Sequence, residues 1–148
     1  MTSEDSRHSV SVAGVVIDED GRALVIRRRD NARWEPPGGV LERDETITDG
    51  LLRELKEETG LIVEPIALTG VYKNMSRGIL ALVFRCRPIG GALIENSEVV
   101  AFRWIREADV SSIMSEAYAV RILDAYQYNA VPSIRNHDGV RLLVPAAN

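Results

Sequence analysis

Glu54, Glu57 and Glu58 fall within an arc of about 100° on a helix of 3.6 residues per turn, so a helix through this stretch aims three carboxylates in one direction. No lysine or arginine is interleaved among them on that face. Like charges at this spacing repel by about 0.2–0.5 kcal/mol per pair. A hard divalent cation, Mg²⁺ or Mn²⁺, reverses the sign, because clustered carboxylate oxygens suit it as ligands. Taken alone, Glu-x-x-Glu-Glu on a helix is more often a solvated face than a metal site. Leu51, Leu52 and Leu55 occupy an adjoining arc that should face a core. Gly50 lies one turn before Glu54 on the same face, and its missing side chain would let another backbone segment approach, with the Gly38-Gly39 loop the obvious candidate.

The elements that must position these glutamates are legible in outline. Thr46 to Thr59 carries helical periodicity, and Gly60 sits where a C-terminal glycine cap belongs. Trp34 to Gly39, with paired prolines and paired glycines, cannot be helix and must be a shaped loop. Residues 9–17 read as a strand that turns wholly apolar, Asp18 to Gly21 as a turn, and Arg22 to Arg28 as the returning strand. Residues 62–73 and 78–86 read as two further strands around a turn near Asn74 to Gly78, and 99–105 as another. Ser111 to Tyr128 reads as a second helix, burying Ile113, Ala117, Val120, Leu123 and Ala125. The tail from Asn129 to Asn148 carries no assignment. Strands surrounding two helices suggest an α+β fold or a layered α/β sandwich with a mixed sheet.

With 148 residues, 45% of them hydrophobic and 27% charged, the chain fits one globular domain over 1–148 whose first eight residues form a flexible start. A net charge of −4 argues against broad binding to a nucleic acid polymer. A polyphosphate can still be held if metal ions and a local basic patch supply the positive charge. Cys86 is the sole cysteine, which excludes an intrachain disulfide and suits a reducing cytoplasm; preceded by an apolar strand, it reads as buried and inert. The longest apolar run, Ile79 to Phe84, is too short to cross a membrane, and Met1 to Ser11 has no apolar signal core. A cytoplasmic location follows as an expectation.

The run from Gly39 to Leu61 adds the decisive pattern: Gly39, five residues, Glu45, seven residues, then Arg53-Glu54-Leu55-Lys56-Glu57-Glu58-Thr59-Gly60-Leu61. Ordinary residue frequencies produce so long a match by chance in fewer than about one chain in a million. The chain thereby resembles the Nudix hydrolase family, and the flanking pattern extends the likeness over most of residues 9–127. The resemblance implies an α/β/α sandwich with a mixed sheet, in which the signature forms a loop-helix-loop. It also implies metal-dependent hydrolysis of a nucleoside diphosphate linked to another group, with water attacking a pyrophosphate phosphorus. Glu54, Glu57 and Glu58 would bind Mg²⁺ or Mn²⁺ together with the Gly38 carbonyl, and one of these glutamates, or one on a later loop, would deprotonate the water. Glu45 and Arg53 would pair and, with Gly39 and Gly60, support the signature. Asp44 stands where family members often have Gly, and Gly50 and Leu51 where they often have Ala; none of these positions belongs to the fixed signature.

Outside the signature, Arg27, Arg28 and Arg29 end the second strand, where the family often places an arginine on substrate phosphates. Strand alternation sends Arg27 and Arg29 to one face and Arg28 to the other. Glu98 stands where many members carry an extra loop glutamate, with Glu95 as its neighbour. Trp34, Tyr72 and Tyr118 could stack a base, although such aromatic residues are more often core. His8 and His137 look unremarkable, and His137-Asp138-Gly139 reads as a turn rather than a catalytic pair.

The likeness to the short MutT-like branch favours a pyrophosphohydrolase that clears free nucleoside triphosphates, damaged ones included. ADP-ribose or a nucleotide sugar is the next substrate class, although the proline that flags ADP-ribose enzymes falls on Ser76 and the tyrosine of dinucleoside polyphosphate enzymes falls near Gly78. A nucleotide-sensing module without activity is the alternative from another class, and such modules usually lose signature glutamates that this chain keeps. A structural protein with an acidic helix face is the blandest reading. Many family members form homodimers, to which the tail could contribute.

Overall fold

The structure, a computed structural model, describes residues 6–144. Residues 1–5 of the expected flexible start and 145–148 of the tail lie outside the described residues. His8 is exposed, with Nδ1 2.8 Å from the Ser6 carbonyl oxygen.

Apolar residues alternate along β1 (Ser9–Val16) and serve two cores at once. Val12 and Val16 pack with Leu51, Leu55, Leu61 and Cys86 on one face, whereas Ala13 and Val15 pack with Tyr72, Val83, Ile122 and Ala125 on the other. β2 (Ala23–Arg28) is likewise buried on both faces, Leu24 joining the first cluster and Val25 the second. The helix α1 (Ile47–Thr59) covers the first face, and α3 (Glu116–Tyr126) covers the second. Strands between two helical layers make an α/β/α sandwich.

Among the described residues the strands form two sheets, the larger of six in the order β4-β1-β6-β5-β8-β9. These are β4 (Gly38–Val40), β1, β6 (Ile79–Gly91), β5 (Leu61–Asn74), β8 (Ser133–His137) and β9 (Leu142–Leu143). β1 pairs parallel with β6, and β5 parallel with β8, while the remaining pairs are antiparallel, so the sheet is mixed. A second sheet of three strands orders β3 (Trp34–Glu35), β2 and β7 (Val99–Ile105).

Several expectations are corrected. The shaped loop of Trp34 to Gly39 contains strand pairing: β3 and the start of β4 flank Pro36-Pro37, and the Pro37 carbonyl accepts the Gly14 N–H at 2.9 Å. The second helix is not continuous over 111–128. A short α2 (Val110–Ile113) ends at Met114, Met114 and Ser115 are extended, and α3 closes at Tyr126. The break is stabilised from outside the segment, because the Ala117 N–H donates to the Val140 carbonyl at 2.9 Å and the Glu116 carboxylate accepts the Leu142 N–H at 2.6 Å. The tail that carried no assignment therefore forms β8 and β9 and caps α3.

β8 is tied to α3 by charge as well as by strand pairing. Asp124, 7% exposed, accepts the Tyr72 hydroxyl at 2.7 Å and the Arg135 guanidinium at 2.7 and 2.8 Å. Asp124→Ala leaves both donors without their acceptor and should lower stability by about 1.5–3 kcal/mol in denaturant unfolding. An unchanged midpoint would contradict this account of how β8 docks.

Candidate active site

α1 is bounded as its ends require. Thr46 Oγ1 accepts the Asp49 N–H at 3.1 Å, and Gly60 takes a left-handed φ of 83° while donating to the Lys56 carbonyl at 2.8 Å. Its inner stripe, Leu51 and Leu55, is fully buried, and this sets the rotation that turns Glu54, Glu57 and Glu58 toward the loop Gly38-Gly39.

Arg53 organises the entrance to this cluster. Its Nη2 donates to Glu45 Oε1 at 2.6 Å and to the Val40 carbonyl at 3.1 Å, while Nε donates to Glu45 Oε2 at 2.8 Å. Nη1 reaches Glu54 at 3.0 Å and Glu57 at 3.2 Å. The Arg53 guanidinium, and then the Glu42 N–H, hold the Glu45 carboxyl down at about 2. A carboxyl below its ordinary 4.5 contributes stability that is fully present above 4.5 and lost as pH falls toward 2. Glu45→Gln should therefore melt below the parent at pH 7, and the gap between the two should shrink between pH 4.5 and 2 in thermal scans. A gap that stays constant across that window would exclude the ion pair as its cause.

Glu58 is 8% exposed and accepts the Gly38 N–H at 2.6 Å. Burial pushes its carboxyl up to about 8, reinforced by repulsion from Glu54, Glu35 and Glu98 and opposed by the Gly38 hydrogen bond. Burial, with repulsion from Glu57 and Glu98, also raises Glu54, against the pull of Arg53. Gly39 makes the approach possible, since a Cβ there would overlap the Glu54 carboxylate. This corrects the expectation for Gly50: a Cβ on that residue would meet Leu41 and, at 2.8 Å, Glu45, not the Gly38-Gly39 backbone.

A cleft of about 650 Å³ is lined by Arg28, Arg29, Glu54, Glu57, Glu58 and Glu98, beside Gly38 and Gly39. The structure thus brings Glu98 to the helix glutamates, while Glu95 does not line the cleft. Strand alternation holds for two of the three arginines. Arg27 and Arg28 do point to opposite sides, Arg28 into the cleft and Arg27 away, but Arg29 lies past the end of β2 in a turn and joins Arg28 in the cleft lining. Arg28 is braced by Asp30 at 2.6 Å and Glu35 at 3.2 Å, Arg29 donates to the Ser97 carbonyl at 2.9 Å, and Arg27 donates to the Ala32 carbonyl at 3.2 Å.

The donor set, three helix carboxylates with Glu98 beside them, fits a hard divalent cation. As the side chains stand, no three such groups among the described residues are close enough to hold a metal. Arg53 draws Glu54 and Glu57 aside, and Gly38 holds Glu58.

A second cleft, about 530 Å³, adjoins the first and shares Arg28, Asp30, Gly38 and Gly39 with it. Of the aromatic candidates only Tyr118 lines it. Tyr72 is fully buried, and Trp34 packs against the core under Arg103, 5.5 Å from its ring centroid. Two lining residues carry signals the sequence reading passed over. Glu35, paired with Arg28, has its carboxyl raised by burial, and Arg121 is a charge four residues from both Ala117 and Ala125 on a buried helix stripe. His137 is fully buried at the end of β8, and Asp138 and Gly139 do lie in a turn, the one that leads into β9, where the Asp138 N–H donates to the Arg141 carbonyl at 3.1 Å. Cys86 is buried, its thiol pushed up to about 12 by burial alone, which agrees with an inert role.

Comparison with known proteins defines the class. The NUDIX domain family model matches residues 7–126, and the chain belongs to this family of pyrophosphohydrolases. A "MutT-like protein" of Streptomyces ambofaciens is 58% identical over 139 residues, spanning 94% of this chain and 89% of its own length. An "ADP-ribose pyrophosphatase" of Methanocaldococcus jannaschii is 38% identical over 92 residues, 57% of this chain and 54% of that protein. The human "8-oxo-dGDP phosphatase NUDT18" is 32% identical over 139 residues, 92% of this chain and 38% of that protein. Among solved structures, an ADP-ribose pyrophosphatase from Streptococcus suis superposes with a TM-score of 0.71 at 22% identity, covering 86% of this chain and 98% of its own. A MutT protein from Methanosarcina mazei gives 0.71 at 22%, covering 81% and 94%. Members of the family generally use divalent metal ions and act on small nucleotides. Among the described residues no helix is long and apolar enough to cross a membrane.

Proposed function

We propose that the protein is a single-domain pyrophosphohydrolase of free nucleoside triphosphates, damaged ones included. The observation that carries this reading is the junction of the two clefts at Gly38 and Gly39, which offers a polyphosphate the carboxylate side and its nucleoside the other. The likeness to the Streptomyces MutT-like protein over nearly the whole chain supports the same choice.

In this reading Glu54, Glu57 and Glu58, with the Gly38 carbonyl, hold Mg²⁺ or Mn²⁺, which when bound stabilises charge on the phosphate oxygens. Arg28 and Arg29 face the phosphates from across the cleft, Arg28 with its fork preset by Asp30 and Glu35. Glu98, exposed on its loop and held by the Asn96 side chain through its own N–H at 2.9 Å, is placed to accept a proton from the attacking water. ADP-ribose is the second reading, favoured by the archaeal relative's printed activity.

The test is phosphate and pyrophosphate release from ordinary and oxidised triphosphates, ADP-ribose, nucleotide sugars and dinucleoside polyphosphates, with Mg²⁺ and with Mn²⁺. Triphosphates should turn over, and Glu57→Gln should abolish most of that turnover. ADP-ribose cleavage without triphosphate cleavage would replace the first reading by the second. No turnover of any substrate by folded, metal-loaded protein would favour a nucleotide-sensing role.

A further inference from the structure

Arg121 is a buried cation whose own structure does not complete it. It is 8% exposed, and its guanidinium carbon lies 5.2 Å from the Tyr72 ring centroid and 4.7 Å from that of Tyr118. Its Nε is buried and has no hydrogen-bond partner among the described residues. Its Nη2 is 3.2 Å from His137 Nε2, but the Gly139 N–H already points at Nδ1 of the same ring, 2.9 Å away. A neutral imidazole has one nitrogen that accepts and one that donates, so two N–H donors aimed at its two nitrogens leave one of them unanswered. Protonating the ring would remove the remaining acceptor, and burial together with the Arg121 charge holds the imidazole below its ordinary range. Glu35, the carboxylate whose field Arg121 feels, is already bonded to Arg28 at 3.2 Å. Ring faces stabilise a cation but accept no in-plane hydrogen bonds.

Buried donors in folded proteins are nearly always satisfied, so an under-satisfied arginine in the wall of a cleft marks where a ligand's acceptors belong. Arg121 lines the smaller cleft with Tyr118, Asn74 and Gly139. Asn74 adds to the same polarity. Its Oδ1 is taken by the Ser76 and Arg77 N–H groups at 3.0 and 3.2 Å, so what it retains for a ligand is its amide nitrogen, a donor. A guanidinium has donors only. It therefore complements a base edge that presents oxygen, such as guanine O6 beside N7, and meets an unmatched amino donor on adenine.

We propose that Arg121 is a specificity-determining residue, and that it selects nucleotides whose base carries a keto oxygen, guanine or uracil, over those with an amino group there, adenine or cytosine. This rests on the reading that the smaller cleft takes the nucleoside, and it deepens that reading by naming the base class.

The experiment pairs two measurements. GMP, UMP, AMP and CMP are titrated into the unmodified protein, where equal phosphates isolate the base. The rates on GTP, UTP, ATP, CTP and inorganic tripolyphosphate are then compared between the parent and Arg121→Met, which fills the space without the charge. The keto nucleotides should bind about 5- to 150-fold more tightly. Arg121→Met should erase that ratio through KM while its kcat on tripolyphosphate stays within about twofold of the parent. Equal affinities for the four monophosphates, or a keto preference that survives in Arg121→Met, would overturn the proposal. If Arg121→Met does not fold, the titration of the parent protein decides alone. A keto preference in binding with no triphosphate cleavage would sink the triphosphate reading and leave Arg121's role standing.

Discussion

Glu58→Gln should lower turnover by about 10²- to 10⁴-fold while making the metal-free protein more stable. The amide keeps an oxygen to accept the Gly38 N–H at 2.6 Å, so the loop contact survives. It removes a carboxyl, 8% exposed, whose ionisation is opposed by burial and by the neighbouring Glu54, Glu35 and Glu98. A buried like-charge cluster opposes folding until a cation joins it, and at pH 7 in chelator the variant should melt at least about 2–4 °C above the parent, the shift that about 1 kcal/mol produces in a chain of this size. The two effects have one cause, since the repulsion that burdens the metal-free fold is the field that attracts the metal. Loss of activity with a fall in melting temperature would show instead that Glu58 is needed for the fold. Full activity would remove it from the metal site.

Arg53→Met tests positioning rather than ligation. The guanidinium joins the Glu45 turn, the Val40 carbonyl and two of the candidate metal ligands, and a thioether replaces none of these bonds. Outer residues that orient ligands are typically worth 10- to 100-fold in metal affinity or activity. The expected result is a drop of that size in kcat/KM, with the Mg²⁺ concentration for half-maximal rate shifted upward. Arg53→Lys should recover little, because a single ammonium cannot reach Glu45 and Val40 in the fork geometry. A variant with normal metal dependence and rate would mean that Glu54 and Glu57 find their places without Arg53.

How much of this was legible beforehand depends on the range of the interaction involved. The helix Ile47–Thr59, its Thr46 and Gly60 caps, and the shared face of Glu54, Glu57 and Glu58 follow from contacts three or four residues apart, which spacing encodes directly. The burial of β1 is likewise readable, because a strand that turns wholly apolar reads as a buried one. Alternation places Arg27 and Arg28 on opposite sides but misplaces Arg29, because the strand ends at Arg28 and the turn that follows carries no period of two. Periodicity runs the second helix through a break at Met114 and Ser115, because the groups that hold the break, Val140 and Leu142, lie more than twenty residues away in the chain.

By itself, then, the sequence determined the carboxylate helix, a property of local periodicity, and the family, through a motif in one continuous run whose resemblance implied the sandwich. Only the tertiary structure decided that Glu98 faces that helix, that Glu45 and Leu41 rather than Gly38 occupy the space over Gly50, and that Arg121 lies between two tyrosines with its Nε unpartnered among the described residues. Each of these depends on residues brought together by sheet order and helix packing, and no spacing along the chain carries the distance between them.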